Sequence, residues 1–169
     1  MSEERASGQL VHEVRLRPVS DEDEPFLQTA YADSRADELM RVPWSDEQRA
    51  AFVRMQFQAQ QKHYQEYFPK AEHVVILADE RPAGRLYVDR RDDEIRILDI
   101  TVLAGFRSRG IGSHVIKALM EEADAAGKAV SIYVENYNPS RFFFERRGFR
   151  QIEDDGMNLL LERPAVSSL

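Results

Sequence analysis

The run Arg107-Ser108-Arg109-Gly110-Ile111-Gly112-Ser113 joins residue types that can hold a pair of phosphates. It lies between a strand-like run, Ile95 to Leu103, and a helix-like run, Ile111 to Ala126. The first N–H groups of a helix have no partner within it, and the helix dipole adds positive potential there. Gly110 and Gly112 put no Cβ between an anion and the backbone. Arg107 and Arg109 add charge-assisted donors. The run lacks the Gly-Lys-Ser/Thr ending of a P-loop, and Val115 stands where a dinucleotide fingerprint needs its third glycine. The chemistry that remains is diphosphate binding of another kind.

The elements that must position this loop can be read from pattern. Strand one is expected at His12 to Arg17, ended by Pro18. Ser20 caps a first helix running to about Leu39, with acids in its first turn. Ser45-Asp46-Glu47-Gln48 is a capping box that starts a second helix, which ends before Pro69. That helix is rich in glutamine from Gln56 to Gln65, read as a solvated face. Val74 to Ala78 and Gly84 to Arg90 form a hairpin around Asp79-Glu80-Arg81-Pro82. Strand four, Ile95 to Leu103, is nearly continuous and apolar, as a central strand should be. After the amphipathic helix come strand five at Ala129 to Val134, a short helix at Pro139 to Arg147, and a closing hairpin, Phe149 to Ile152 and Met157 to Glu162. The order β-α-α-β-β-β-α-β-α-β-β predicts an α/β (α+β) fold with a mixed, mostly antiparallel sheet and helices on both faces. Residues 1–10 are a disordered lead, 11–163 a single domain and 164–169 a tail.

Composition narrows the function. The chain has 169 residues, 43% hydrophobic and 31% charged, which suits one soluble domain. The absence of cysteine excludes disulfides, thiolate metal sites and a cysteine nucleophile, and fits a cytoplasmic location. The four histidines show no metal-ligand spacing, so no metal is expected. No apolar run is long enough to span a membrane, and Met1 to Gln9 lacks a signal-peptide core. A net charge of −7 argues against nucleic acid and is compatible with an amine-bearing substrate.

Two motifs carry a family resemblance. The loop matches Arg/Gln-x-x-Gly-x-Gly/Ala. The later run Asn138-Pro139-Ser140-Arg141-Phe142-Phe143-Phe144-Glu145-Arg146-Arg147-Gly148-Phe149 resembles Asn-Pro-x-x-x-Leu/Phe-Tyr-Glu-x-x-Gly-Phe. Both are found in the GNAT superfamily of acyl-CoA-dependent N-acyltransferases, whose element order is matched from about Glu13 to Arg163. The resemblance implies acetyl-CoA or another acyl-CoA as co-substrate, with its pyrophosphate on Arg107 to Ser113. It implies that strands four and five splay, and that the pantetheine arm pairs with the backbone of Ile100, Thr101 and Val102. Asn138 would bond to the pantetheine or to nearby backbone, and Arg141 would flank the cofactor. Phe144 departs from the pattern, because many members place an acid tyrosine there. Phe142 and Phe143 are read as core packing.

The chemistry implied is direct attack of an amine on a thioester in a ternary complex. A lysine-like amine of pKa about 10.4 is neutral in only ~1 molecule in 2,500 at pH 7, and an α-amine of about 7.7 in ~1 in 6, so a base or a water chain leading to one is expected. Period-two alternation puts Ile97, Asp99 and Thr101 on one side of strand four and Leu98, Ile100 and Val102 on the other. Asp99 is a candidate base, or else pairs with Arg85 or a backbone donor. Glu135, at the end of strand five, is the second candidate. By position the Val102 N–H would polarise the carbonyl. A thiol of pKa about 8.5 leaves readily, so losing a tyrosine worth roughly 10²–10⁴-fold should slow the reaction without abolishing it. Tyr137 is the first substitute, ahead of Tyr133 and water. In the family, Leu39 to Trp44 and Glu153 to Asn158 would select the acceptor, with Trp44 itself read as a core plug. The acceptor is a small-molecule or peptidyl amine, and the protein a monomer or homodimer. Two rivals stand beside this: a non-catalytic acyl-CoA-binding sensor, motivated by Phe144, and an interaction protein using the glutamine-rich helix face.

Overall fold

The computed structural model describes residues 11–166. The lead expected over residues 1–10 and positions 167–169 of the tail lie outside them. The described chain runs β1 (Val14–Pro18), α1 (Glu24–Ser34), α2 (Ala36–Met40), α3 (Asp46–Tyr67), β2 (Glu72–Ala78), β3 (Arg81–Arg90) and β4 (Glu94–Val102). It continues through α4 (Ile111–Ala126), β5 (Ala129–Glu135), α5 (Ser140–Glu145), β6 (Arg150–Asp154) and β7 (Asn158–Arg163). Short 3₁₀ turns stand at Asp21–Asp23 and Ala104–Phe106. The seven strands form one sheet in the order β1-β2-β3-β4-β5-β7-β6. β1 and β2 are antiparallel, β4 and β5 parallel, and β7 is antiparallel to both β5 and β6. The sheet is therefore mixed, as the alternation of elements predicts. The chain groups into two compact units: one runs up to Leu86 and takes in Ile100–Gly112, the other comprises Tyr87–Asp99 and the chain from Ser113 on.

In the first unit, Leu27, Tyr31, Leu39, Val53 and Phe57 form a buried cluster contributed by α1, α2 and α3. The helix expected from Ser20 to Leu39 is broken. The Ser34 hydroxyl donates to the Tyr31 carbonyl at 2.6 Å, and the Arg35 N–H turns to the Ala32 carbonyl instead. A hydroxyl that takes a helical carbonyl in this way competes with the backbone ladder. The second helix begins as its capping box requires: Ser45 accepts from the Gln48 N–H, and the Gln48 side chain accepts from the Ser45 N–H. Arg49 then reaches back and donates to the Leu39 and Val42 carbonyls, closing the end of α2. Trp44 is not a core plug. It remains 37% exposed, its ring against Phe52 at 5.2 Å, because it sits on the linker that Arg49 anchors outside the cluster.

The hairpin is tighter than expected. Only Asp79 and Glu80 form its turn, at φ of 49° and 66°. Side chains rarely adopt that region, and here both are tied down. The Asp79 carboxylate accepts from the His12 and Glu13 N–H groups, and Glu80 pairs with Arg15. Further along β3, an added Cβ on Gly84 would lie 2.0 Å from the Thr101 carbonyl oxygen, so glycine is what permits this approach to β4. Arg85 is buried, with Gln60 as a partner and the Phe57 ring 5.9 Å away. Gln60 is thus not part of a purely solvated face.

In the second unit, the β4–β5 ladder runs from Glu94↔Ala129 to Ile97↔Ile132. β4 continues to Val102 and β5 to Glu135, beyond the ladder's end. Ile95, Ile97, Val130 and Ile132 are buried, as are Val115, Ile116, Leu119 and Ala123 along one face of α4. Phe144 and Phe149 pack edge to face at 5.2 Å, and the chain turns between them at Gly148, φ 90°.

Candidate active site

β4 delivers Ile100, Thr101 and Val102 into the first unit, where Thr101 is buried and its neighbours are half-buried. The exit from the strand is pinned twice. The Leu103 N–H donates to the Ala83 carbonyl at 2.8 Å, and Nε of Arg107 donates to the Val102 carbonyl at 3.0 Å. The following loop takes left-handed backbone at Ser108, φ 62°, and at Gly110, φ 80°. A Cβ on Gly110 would meet nothing within 4 Å. Glycine is demanded there by conformation, and open space lies on that side of the chain. Ile111 is buried and fixes the start of α4, whose first turn carries no acidic residue. An anion approaching Gly110 and Gly112 therefore meets helix-terminal amides and no carboxylate from that turn.

The two loop arginines are held differently. Nη2 of Arg107 donates to Oδ2 of Asp33 at 3.1 Å, so this guanidinium is engaged with α1 and with β4. Arg109 lies against the Phe106 ring at 5.4 Å, and Arg81 approaches the same ring at the same distance. Cations held by an aromatic face keep most of their hydrogen-bonding capacity.

Ser113 belongs to the second unit, where its hydroxyl accepts from Nη2 of Arg147 at 2.6 Å. Arg147 also donates to the Phe143 carbonyl and stands 3.5 Å from the centre of that ring. Burial, and then the nearby Arg146, push its pKa below the ordinary arginine value. Arg147 was not singled out from the sequence; the only signal was the doubled arginine before Gly148.

Asn138 bonds to nearby backbone: its Oδ1 accepts from the Ser140 N–H at 2.9 Å. Arg141 is half-buried, 3.8 Å from the Glu145 carboxylate, too long for a hydrogen bond. Phe142 is not core. It is half exposed, with the Arg141 guanidinium 5.0 Å from its ring. Phe143 is half-buried between Arg147 and Phe144 rather than enclosed. Phe144 is buried, its ring edge to face with Phe143 and Phe149.

The two carboxylates read as base candidates both lie just past the end of the β4–β5 ladder. Asp99 is two residues beyond Ile97, and Glu135 three beyond Ile132; both are half-buried. Period two sends them to opposite faces. Asp99 shares a side with Ile97 and Ile132, whereas Glu135 shares one with Ser131 and Tyr133. That second side is polar. Arg96 donates to the Ser131 hydroxyl, pairs with Glu94 and covers the Tyr133 ring at 4.9 Å. Tyr137 is 68% exposed. Among the described residues no cluster of His, Cys, Asp and Glu could hold a metal ion, and no helix is long and apolar enough to cross a membrane.

A glycine-bearing loop that leads from a central strand into a long helix, and a parallel pair of strands whose ladder stops short, are the two features that point to a class. The family model described as "Acetyltransferase (GNAT) family" matches residues 26–149, and the chain belongs to that family. Membership implies acyl transfer from coenzyme A to an amine. The uncharacterized N-acetyltransferase YjcF of Bacillus subtilis (strain 168) is 28% identical over 103 residues, covering 61% of this chain and 73% of that protein. Among solved structures, the PaiA N-acetyltransferase of Thermoplasma acidophilum in complex with coenzyme A superposes with a TM-score of 0.67 at 16% identity. That match covers 90% of this chain and 99% of the other. An acetyltransferase from Thermus thermophilus also gives 0.67, at 19% identity over 92% and 99% of the two chains. These likenesses show the fold.

Proposed function

We propose that the protein transfers an acetyl group from acetyl-CoA to an amine of a small molecule or peptide, by direct attack in a ternary complex. The observation that carries this reading is the Arg107–Ser113 loop, with its left-handed glycine facing open space and its helix start free of acidic residues. The diphosphate would sit on the amides of Gly110, Ile111 and Gly112, aided by Ser108, Arg109 and Ser113. The pantetheine arm would run along Ile100, Thr101 and Val102, with Asn138, Arg141 and Phe144 near the cofactor. Alignment of the two substrates supplies much of the rate.

In the reaction, the amine nitrogen attacks the thioester carbonyl carbon while the Val102 N–H stabilises the developing oxyanion. Asp99, or failing it Glu135, accepts the amine proton, directly or through water. The C–S bond breaks, and the thiolate is protonated by Tyr137 or by solvent. Phe144 cannot supply that proton.

Thiol release over a panel of amines, with acetyl-CoA as donor, tests the proposal. Release that depends on the acceptor is the expected result. The buried ring of Phe144 favours one rival, an acyl-CoA-binding sensor without turnover. Saturable acetyl-CoA binding with no release on any amine would favour that rival and count against transfer.

A further inference from the structure

Arg107 is the residue of the loop best placed by type to grip a diphosphate, yet its guanidinium is already committed. Nε donates to the Val102 carbonyl, and Nη2 donates to Oδ2 of Asp33. The same carboxylate oxygen accepts from the Ala104 N–H at 2.9 Å. Asp33 lies in the last turn of α1, so one carboxylate ties that helix to both the exit of β4 and the loop arginine. Its side chain is 26% exposed, against 53% for Arg107. The pair is wet enough to exchange partners and close enough to neutralise one of the loop's two positive charges.

We propose that Asp33 is a positioning residue that competes with the coenzyme A diphosphate for Arg107 and so shortens the stay of the spent cofactor. The proposal rests on the acyl-CoA reading of the loop. A diphosphate within reach of Arg107 also comes close to the Asp33 carboxylate. Either Arg107 leaves Asp33, or the two anions stand near each other; both weaken binding. The Ala104 N–H asks only for an oxygen acceptor at position 33, and the Val102 carbonyl still holds Nε of Arg107, so the charge of Asp33 is not needed to shape the loop. Substrate and product carry the same diphosphate, and the penalty falls on both alike. A uniform penalty raises KM without lowering kcat, and it speeds any turnover limited by release of coenzyme A.

The sign of the effect separates this role from a structural one. Asp33→Asn keeps an oxygen acceptor for the Ala104 N–H and removes the charge. Titration calorimetry should show acetyl-CoA and coenzyme A binding roughly two- to fivefold more tightly to this variant, the scale of one partly exposed ion pair. Inorganic pyrophosphate should compete better for the same site, KM should fall without a rise in kcat, and the part of the gain owed to freeing Arg107 should be lost when Arg107→Gln is added. Asp33→Ser, which also keeps an oxygen acceptor, is the second variant if the asparagine chain does not fold. Equal or weaker acetyl-CoA binding by the folded variant, with the unaltered chain binding normally, would overturn the competition alone. An unaltered chain that binds no acetyl-CoA would overturn the loop reading, and this inference with it.

Discussion

At the residue scale, the divergence of Asp99 and Glu135 is the sharpest geometric result. Both follow the end of one ladder, but they project to opposite faces, so a single reacting amine can be served by one of them and not both. In the proposed reaction Asp99 is the base expected first, because Glu135 shares its face with the Arg96–Glu94–Ser131 network. Asp99→Asn should lower kcat by roughly 10²–10⁴-fold, and Glu135→Gln by less than about tenfold. Steady-state rates with acetyl-CoA and a competent amine check this, and the reverse ranking would transfer the role to Glu135. What the sequence could show at this scale was residue type. The loop arginines and glycines could be read as a candidate anion site because that reading rests on spacing along the chain. The Arg107 partner was not, since Asp33 lies 74 positions away and nothing local marks it. Arg147 was missed for the same reason: its partner Ser113 is 34 positions distant.

At the element scale, the features written in short windows were readable and those set by tertiary contact were not. The Ser45 box, the span of α4 and the apolar run of β4 came from local pattern. The break at Arg35 came from one hydroxyl taking one carbonyl, a choice that helical periodicity does not register. The two-residue hairpin depends on Asp79 finding the backbone of His12 and Glu13, 66 or more positions earlier. Gly84 belongs to the same class. Its Cβ would collide with the Thr101 carbonyl, which lies in the stretch assigned to the pantetheine arm. Gly84→Ala should therefore destabilise the protein by about 1–3 kcal/mol and weaken acetyl-CoA binding together. Urea unfolding and calorimetry on the same sample read both effects. An unchanged midpoint would mean that β3 yields there without strain.

At the scale of the whole molecule, the order of elements together with the two motifs placed the chain in its class, with left-handed glycines marking the turns into α4, β5, β6 and β7. The pairing that makes the sheet mixed, β4 parallel to β5 and β7 inserted between β5 and β6, follows from crossovers that no window of sequence contains. The proposed anion loop follows the end of a central strand and leads into a long helix. The two residues proposed as bases follow the last pair of the β4–β5 ladder, Ile97↔Ile132. The most direct measurement is a calorimetric titration of the unaltered protein with acetyl-CoA, repeated on Gly110→Asp. Saturable binding well below millimolar is required, with a marked loss in the variant, where a strained carboxylate would face the phosphates. No heat at millimolar acetyl-CoA, or equal affinity in the two proteins, would contradict the assignment of this loop.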